Sequence, residues 1–165
     1  FMHLAISRFD RVISWRARRH PAGKTARLMA KLCSPWATAA QGIAAAVVLR
    51  AAGRPAAGVA IAPVAADACA RLIKGATHRP RPGWKRFSRD GHRSFPSSHV
   101  AGPAALLTAV WIDSPPRARI VVAVAFGAVV AAIGVERLRA AAHWPSDIAA
   151  GTVLGVFIGA ALGRL

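Results

Sequence analysis

Five apolar segments follow one another along most of this chain, roughly 32–49, 55–73, 99–112, 119–136 and 147–163, and turns rich in Arg, Pro and Gly separate them. Several carry fewer than the ~18 uninterrupted apolar residues expected of a bilayer-spanning helix, so each alone would also fit a soluble Ala-rich bundle. In succession, with charges gathered mainly at their ends, they predict an all-α, multi-pass transmembrane helical bundle of about five spans. A 55% apolar composition and a mean hydropathy of +0.38 fit that class, and 165 residues make one domain, 1–165.

The segment before the first apolar run, residues 1–24, has a different pattern. Met2, Ala5, Ile6, Phe9, Val12 and Ile13 recur at helical spacing, with Arg8, Arg11, Ser14 and Arg18 on the other side. That predicts an amphipathic helix lying at the membrane interface. A formal charge of +17 ordinarily suggests nucleic acid, but the cations form no stripe along a helix: eight precede residue 32 and seven fall between Lys74 and Arg93. No nucleic-acid partner is expected. Cys33 and Cys69 lack the spacing of a disulfide framework or a zinc site and read as core residues. No cleavable signal peptide is expected, because the first long apolar segment starts some thirty residues in, behind a basic stretch. Gly151, Gly155, Gly159 and Gly163 repeat every four residues and let another backbone approach closely, either inside the chain or, as the alternative, in a homo-oligomer.

Three polar clusters interrupt the apolar segments: KGATHRPRP at 74–82, FPSSH at 95–99 and ERLRAAAHWPSD at 136–147. If the segments alternate direction, the second ends at Lys74, the third begins at His99, the fourth ends near Arg137 and the fifth begins near Asp147. Segment parity therefore predicts that all three clusters meet at one face. Lys74, Arg81 and Arg137 supply cationic donors, two of them guanidinium forks suited to tetrahedral oxyanions. Ser97 and Ser98 stand where a helix begins, so a hydroxyl and free backbone N–H groups can point at the same anion. The implied ligand is a phosphate. His143 precedes Asp147 by four residues, a spacing that lets the carboxylate accept a proton from one ring nitrogen. An oriented histidine with its other nitrogen free is a nucleophile or a base, and His99 can then protonate a leaving oxygen.

These motifs resemble the type 2 phosphatidic acid phosphatases, membrane lipid phosphatases that share a helical core with vanadium haloperoxidases. The family pattern is a lysine, six residues, then Arg-Pro; a Pro-Ser-Gly-His; and Ser-Arg, five residues, His, three residues, Asp. Here Lys74 is followed after six residues by Arg81 and Pro82, and Arg137 after five by His143 and after three more by Asp147. The resemblance covers residues 67–147. It implies that His143 attacks phosphorus to form a phosphohistidine, that Asp147 orients it and that His99 protonates the leaving alcohol. Lys74, Arg81, Ser97, Ser98 and Arg137 would hold the phosphoryl oxygens, and the scheme requires no metal or other cofactor. Two positions depart from the pattern. Ser98 replaces a glycine, and Glu136 replaces a serine, which removes a hydroxyl from the phosphate shell and adds a carboxylate that could weaken phosphate binding or contact a substrate hydroxyl.

The remaining polar residues have quieter expected roles. Asp67, Arg71 and Lys74 share one helix face, so Asp67 with Arg71 reads as a pair that positions Lys74. His78, Arg79, Lys85, Arg86, Arg89, His92 and Arg93 read as a solvated or headgroup-facing loop, Gln41 as a helix-packing hydrogen bond, and Trp36, Trp84, Trp111 and Trp144 as interface anchors, Trp144 also lying close to His143. If the first apolar segment spans, the eight early cations lie on the active-site side, and the positive-inside tendency places that side in the cytoplasm of a bacterial inner membrane. The expected partner is a lipid-linked phosphate with its headgroup at the site and its tail among the helices. Composition typical of high-GC bacteria, together with the family resemblance, points first to decaprenylphosphoryl-5-phosphoribose, a cell-wall arabinan precursor; polyprenyl diphosphate, phosphatidylglycerophosphate and phosphatidate are the alternatives. A phosphate-lipid binding protein without turnover is the non-catalytic alternative.

Overall fold

The computed structural model describes residues 5–20, 23–83 and 93–165. Among these residues there are seven helices and no strand: α1 (Arg8–Arg18), α2 (Lys24–Leu32), α3 (Pro35–Ala51), α4 (Ala57–Ala76), α5 (Ser98–Asp113), α6 (Pro116–Arg139) and α7 (Pro145–Leu162). The last five coincide with the five apolar segments. Proline opens three of them, at Pro35, Pro116 and Pro145. At the first helical position its missing N–H costs nothing and its fixed φ is already helical.

Helix α5 is the centre of the bundle and packs against α3, α4, α6 and α7. Small residues make the close approach possible. Ala62, Ala66 and Ala70 of α4 meet Ala101, Ala105 and Ala109 of α5 in one fully enclosed cluster. On the other side the three glycines of the α7 stripe, Gly151, Gly155 and Gly159, and Gly163 just past its end lie against α5. A Cβ added at Gly151, Gly155 or Gly159 would stand 2.4–2.5 Å from the carbonyl oxygens of Ser97, Ala101 and Ala105 in turn. The glycine face is thus packed against α5 within the chain, the first of the two arrangements expected of it.

The outer surface is apolar where a soluble protein would be polar. Ile120, Val121 and Val124 of α6 are exposed, as are Val153 and Phe157 of α7 and Ile43, Val47 and Val48 of α3. Within α6 only Ile133, Gly134 and Glu136 are buried. Helices α6 and α7 are long and apolar enough to cross a membrane. The other three fall short of that test for visible reasons: α5 has 16 residues, or about 24 Å of helix against ~30 Å of hydrocarbon, α3 has 17, and the last turns of α4 carry Asp67, Arg71 and Lys74.

The N-terminal segment departs from expectation in two ways. Residues 24–32 form a separate helix, α2, packed mainly on α6. In α1, Ser14 does not join the outward cationic side: Asp10 and Ser14, four apart, are the two buried residues, while Phe9, Val12 and Trp15 face outward. An apolar stripe facing away from the protein, with the polar side attached to it, is what a helix at a lipid interface would present. Ser7 caps α1 by accepting from the Asp10 N–H at 3.0 Å. Met2 and Trp84, and Lys85, Arg86, Arg89 and His92 of the 74–93 connection, lie outside the described residues.

Candidate active site

The three polar clusters come together at one end of the bundle. Lys74, in the last turn of α4, donates from Nζ to Ser98 Oγ at the start of α5, 3.1 Å away. The Ser97 N–H donates to the Asp147 carbonyl at 3.0 Å, joining the start of α5 to the start of α7. Arg81 donates from Nη1 to the Ala142 carbonyl at 2.8 Å and lies 3.4 Å from His143 Nε2. Arg137, Lys74, Arg81 and His143 all interact electrostatically with His99.

His143 is delivered by a tight turn that ends α6. Ala141 takes the left-handed conformation, φ +53°, and its carbonyl accepts from the Gly83 N–H at 2.9 Å, holding the turn against the Arg81 loop. A non-glycine residue in that region costs about 1–2 kcal/mol, an outlay borne at the junction that aims the ring. Burial, opposed by Asp147, lowers the His143 pKa to about 4; Arg81 and Lys74 push the same way as burial. The ring is therefore neutral at physiological pH. Nδ1 faces Asp147 Oδ2 at 3.6 Å, and Nε2 faces Arg81. The first distance is longer than a hydrogen bond, so the contact with Asp147 is electrostatic.

Asp147 is itself fixed on both oxygens. Oδ2 accepts from the Trp144 N–H at 2.8 Å, capping α7, and Oδ1 accepts from Arg79 Nη1 at 2.5 Å. Arg79 corrects the reading of a solvated loop residue: it is 3% exposed, and its fork joins Asp147 to Asp10 of α1. Trp144 is corrected likewise. It is buried and donates from Nε1 to the Pro80 carbonyl at 2.7 Å, so the interface-anchor half of its reading fails while its expected place beside His143 stands. Trp36 and Trp111 are exposed near helix ends.

Other residues divide between site and surroundings. Ser97 caps α5 by position alone; its hydroxyl is buried without a partner among the described residues. Glu136 is buried and bonds Arg137 Nε, so the residue in the usual serine position engages a phosphate-binding candidate. Asp67 and Arg71 pair at 2.7 Å, but the Arg71 side chain is 63% exposed and turns away from the bundle, against the shared inward face expected of them. Gln41 donates to the Leu32 carbonyl at 2.9 Å and ties α3 to the end of α2. Cys33 and Cys69 are free, the first buried and the second partly buried.

Comparison with known families matches residues 55–165, about two thirds of the chain, to the PAP2 superfamily. The chain belongs to the PAP2 superfamily. No curated protein and no solved structure matches it significantly. PAP2 members are typically phosphatases acting on phosphate esters, and the PAP2 assignment with the two long apolar helices indicates a membrane protein. The PAP2 match starts after α3, so Asp10 and the whole of α1 lie outside it. Asp10, Arg79 and Ser146 are the residues that motif reading missed. One signal was available for Asp10: it is one of only six acidic residues beside 23 Lys and Arg, and an acid so outnumbered has many partners to choose from.

Proposed function

We propose that this protein is an integral-membrane lipid phosphatase that hydrolyses a phosphomonoester through a phosphohistidine on His143. The observation that carries the reading is the orientation of that ring. With Nδ1 toward Asp147 and Nε2 toward Arg81, whose guanidinium can only donate, the ring's lone pair belongs to Nε2 and faces the cationic cluster. A phosphoryl group among Lys74, Arg81, Arg137 and the N–H groups that open α5 would present its phosphorus there. Nε2 forms a bond to phosphorus as the ester P–O bond breaks, and His99 gives its proton to the departing alkoxide. His99 then takes a proton from water, whose oxygen attacks phosphorus, breaks the P–N bond and frees inorganic phosphate. Three cations spread around the equatorial oxygens supply the charge stabilisation this transfer needs, so the scheme runs without a metal cofactor.

The five helices α3–α7 are read as spans, with α1 at the interface beside the site. The bundle end bearing the site also bears α1 and its cations, which supports a cytoplasmic active site in a bacterial inner membrane. An apolar groove of about 350 Å³ between Leu107, Trp111, Val122, Phe126 and Val156 lies further along the bundle and supports an amphiphilic substrate. Decaprenylphosphoryl-5-phosphoribose is the first choice of lipid, ahead of polyprenyl diphosphate, phosphatidylglycerophosphate and phosphatidate.

The Glu136–Arg137 pair favours one competing reading, a phosphate-lipid binding protein in which a donor needed for turnover is engaged elsewhere. Phosphate release from these four lipids by purified protein, in detergent with EDTA and with His143→Ala as control, separates the two. Release that persists in EDTA and disappears in the variant supports the phosphatase. Binding of the lipids with no release supports the binding protein.

A further inference from the structure

Helix α1 is attached to the bundle through a buried carboxylate, an expensive way to dock a helix unless the charge is used. Asp10 Oδ2 accepts from Arg79 Nη2 at 2.6 Å, and its Oδ1 accepts from the Ser146 N–H at 3.0 Å and the Ser146 hydroxyl at 2.7 Å. The Ser146 oxygen in turn accepts from Arg79 Nη1 at 2.7 Å, and the same Nη1 reaches Asp147 Oδ1. Arg79 Nη2 also contacts the Ala5 carbonyl at 3.3 Å. Hydrogen bonds from Ser146 and Ser7 outweigh burial and hold the Asp10 carboxyl below its usual range, so it is ionised. One guanidinium is thus shared by two carboxylates.

We propose that Asp10 and Arg79 are positioning residues for phosphoryl transfer, a clamp that fixes both the rotamer and the residual charge of Asp147; this rests on reading His143 as the nucleophile. Arg79 alone would neutralise Asp147. Asp10 takes part of that positive charge onto itself and leaves Asp147 negative enough to stabilise the cationic ring that forms as Nε2 attacks. Both contacts are enclosed by protein, where salt screens little. Among the described residues, the charged and titratable groups of the site include Lys74 from α4, Arg81 from the following loop and Asp147 from α7, which act on His143 directly, with His99 from α5, Arg137 and its Glu136 from α6, and Arg79 on Asp147. Asp10 from α1 acts on the ring only through Arg79.

The two halves of the clamp therefore shift His143 in opposite directions. Asp10→Asn leaves Arg79 wholly to Asp147, so protonation of His143 becomes harder and the acid limb of kcat/KM moves to lower pH. Arg79→Gln frees the charge of Asp147, and the limb moves to higher pH. Both lower kcat, by about tenfold for Asp10→Asn, with KM within about twofold, because neither residue touches the substrate. Arg79→Lys restores part of the loss, and the Asp10→Asn/Arg79→Gln double variant is no worse than Arg79→Gln alone.

The test uses the full chain in detergent with two readouts: the pH profile of phosphate release, and the His143 titration followed by NMR of ¹³C-labelled histidine, assigned with His143→Gln. Opposite shifts in the two variants support the clamp. A wild-type limb and kcat in Asp10→Asn, shifts of the same sign, or losses that simply add in the double variant overturn it. Should the wild-type chain release no phosphate from any lipid, the phosphatase reading fails, while the NMR titration still decides the clamp. If Asp10→Asn does not purify folded, Arg79→Lys and Ser146→Ala carry the same comparison.

Discussion

Acidification should weaken the folded chain through His143 by an amount the structure supplies. Its ring is fully enclosed, with a pKa lowered to about 4, whereas the unfolded chain titrates near the ordinary 6.5. Between those values the unfolded state binds the extra proton and the folded state does not, so stability falls as pH falls. The contribution is intact above 6.5 and fully lost below about 4. At ~1.4 kcal/mol per pH unit the loss is about 3 kcal/mol, a large share of the ~5–15 kcal/mol that holds a typical domain together. The assay is thermal unfolding in detergent from pH 8 to pH 4, for the wild type and His143→Gln. Every other titrating group is common to both proteins, so the difference between their curves isolates this ring. The wild type should lose about 6–12 °C more than the variant across the window. Saturating inorganic phosphate at the cationic cluster favours the protonated ring and should shrink the difference. Parallel curves for the two proteins would refute a neutral, buried His143.

Three further outcomes follow from local geometry. Gly155→Val should lower the melting temperature through overpacking of about 1–3 kcal/mol, because its Cβ would stand 2.4 Å from the Ala101 oxygen, while Gly127→Val, with nothing within 4 Å, should leave it unchanged. Ser97→Ala should stabilise the apoprotein by about 1 kcal/mol, since a buried unpartnered hydroxyl is removed, and should raise KM for the lipid phosphate in the release assay. Ala141→Gly should raise the melting temperature by relieving about 1 kcal/mol at φ +53°, whereas Ala141→Val should lower it.

What could be read without coordinates follows from how local each signal is. The five apolar helices are runs of residues, and the meeting of Lys74, Ser98, Arg81 and His143 at one end follows from counting segments. Arg79 was not legible, because seven cations lie between 74 and 93 and nothing in their order marks the one that turns inward. The α1 pattern was visible but its inner face was not. An amphipathic stripe states which residues share a side and leaves open whether that side meets protein or lipid. Arg71 failed for a related reason: helical spacing placed it with Asp67, and the pair forms, yet an arginine near a helix end reaches outward along its own stem.

The Asp10 contacts also set an order of assembly. Asp10 lies 69 residues before Arg79 and 136 before Ser146, so when α1 leaves the ribosome neither partner exists. Until Arg79 and Ser146 are made, Asp10 keeps only the Ser7 N–H as a partner and its carboxylate must stay hydrated. Only when the first turn of α7 arrives can Ser146 close its contacts with Asp10 and Arg79 reach Asp147. Nascent chains short of residue 146 therefore carry Lys74, Arg81 and Arg137 without the Asp10–Arg79–Asp147 network, and on the proposed mechanism hydrolytic capacity arises with the last helix rather than by increments.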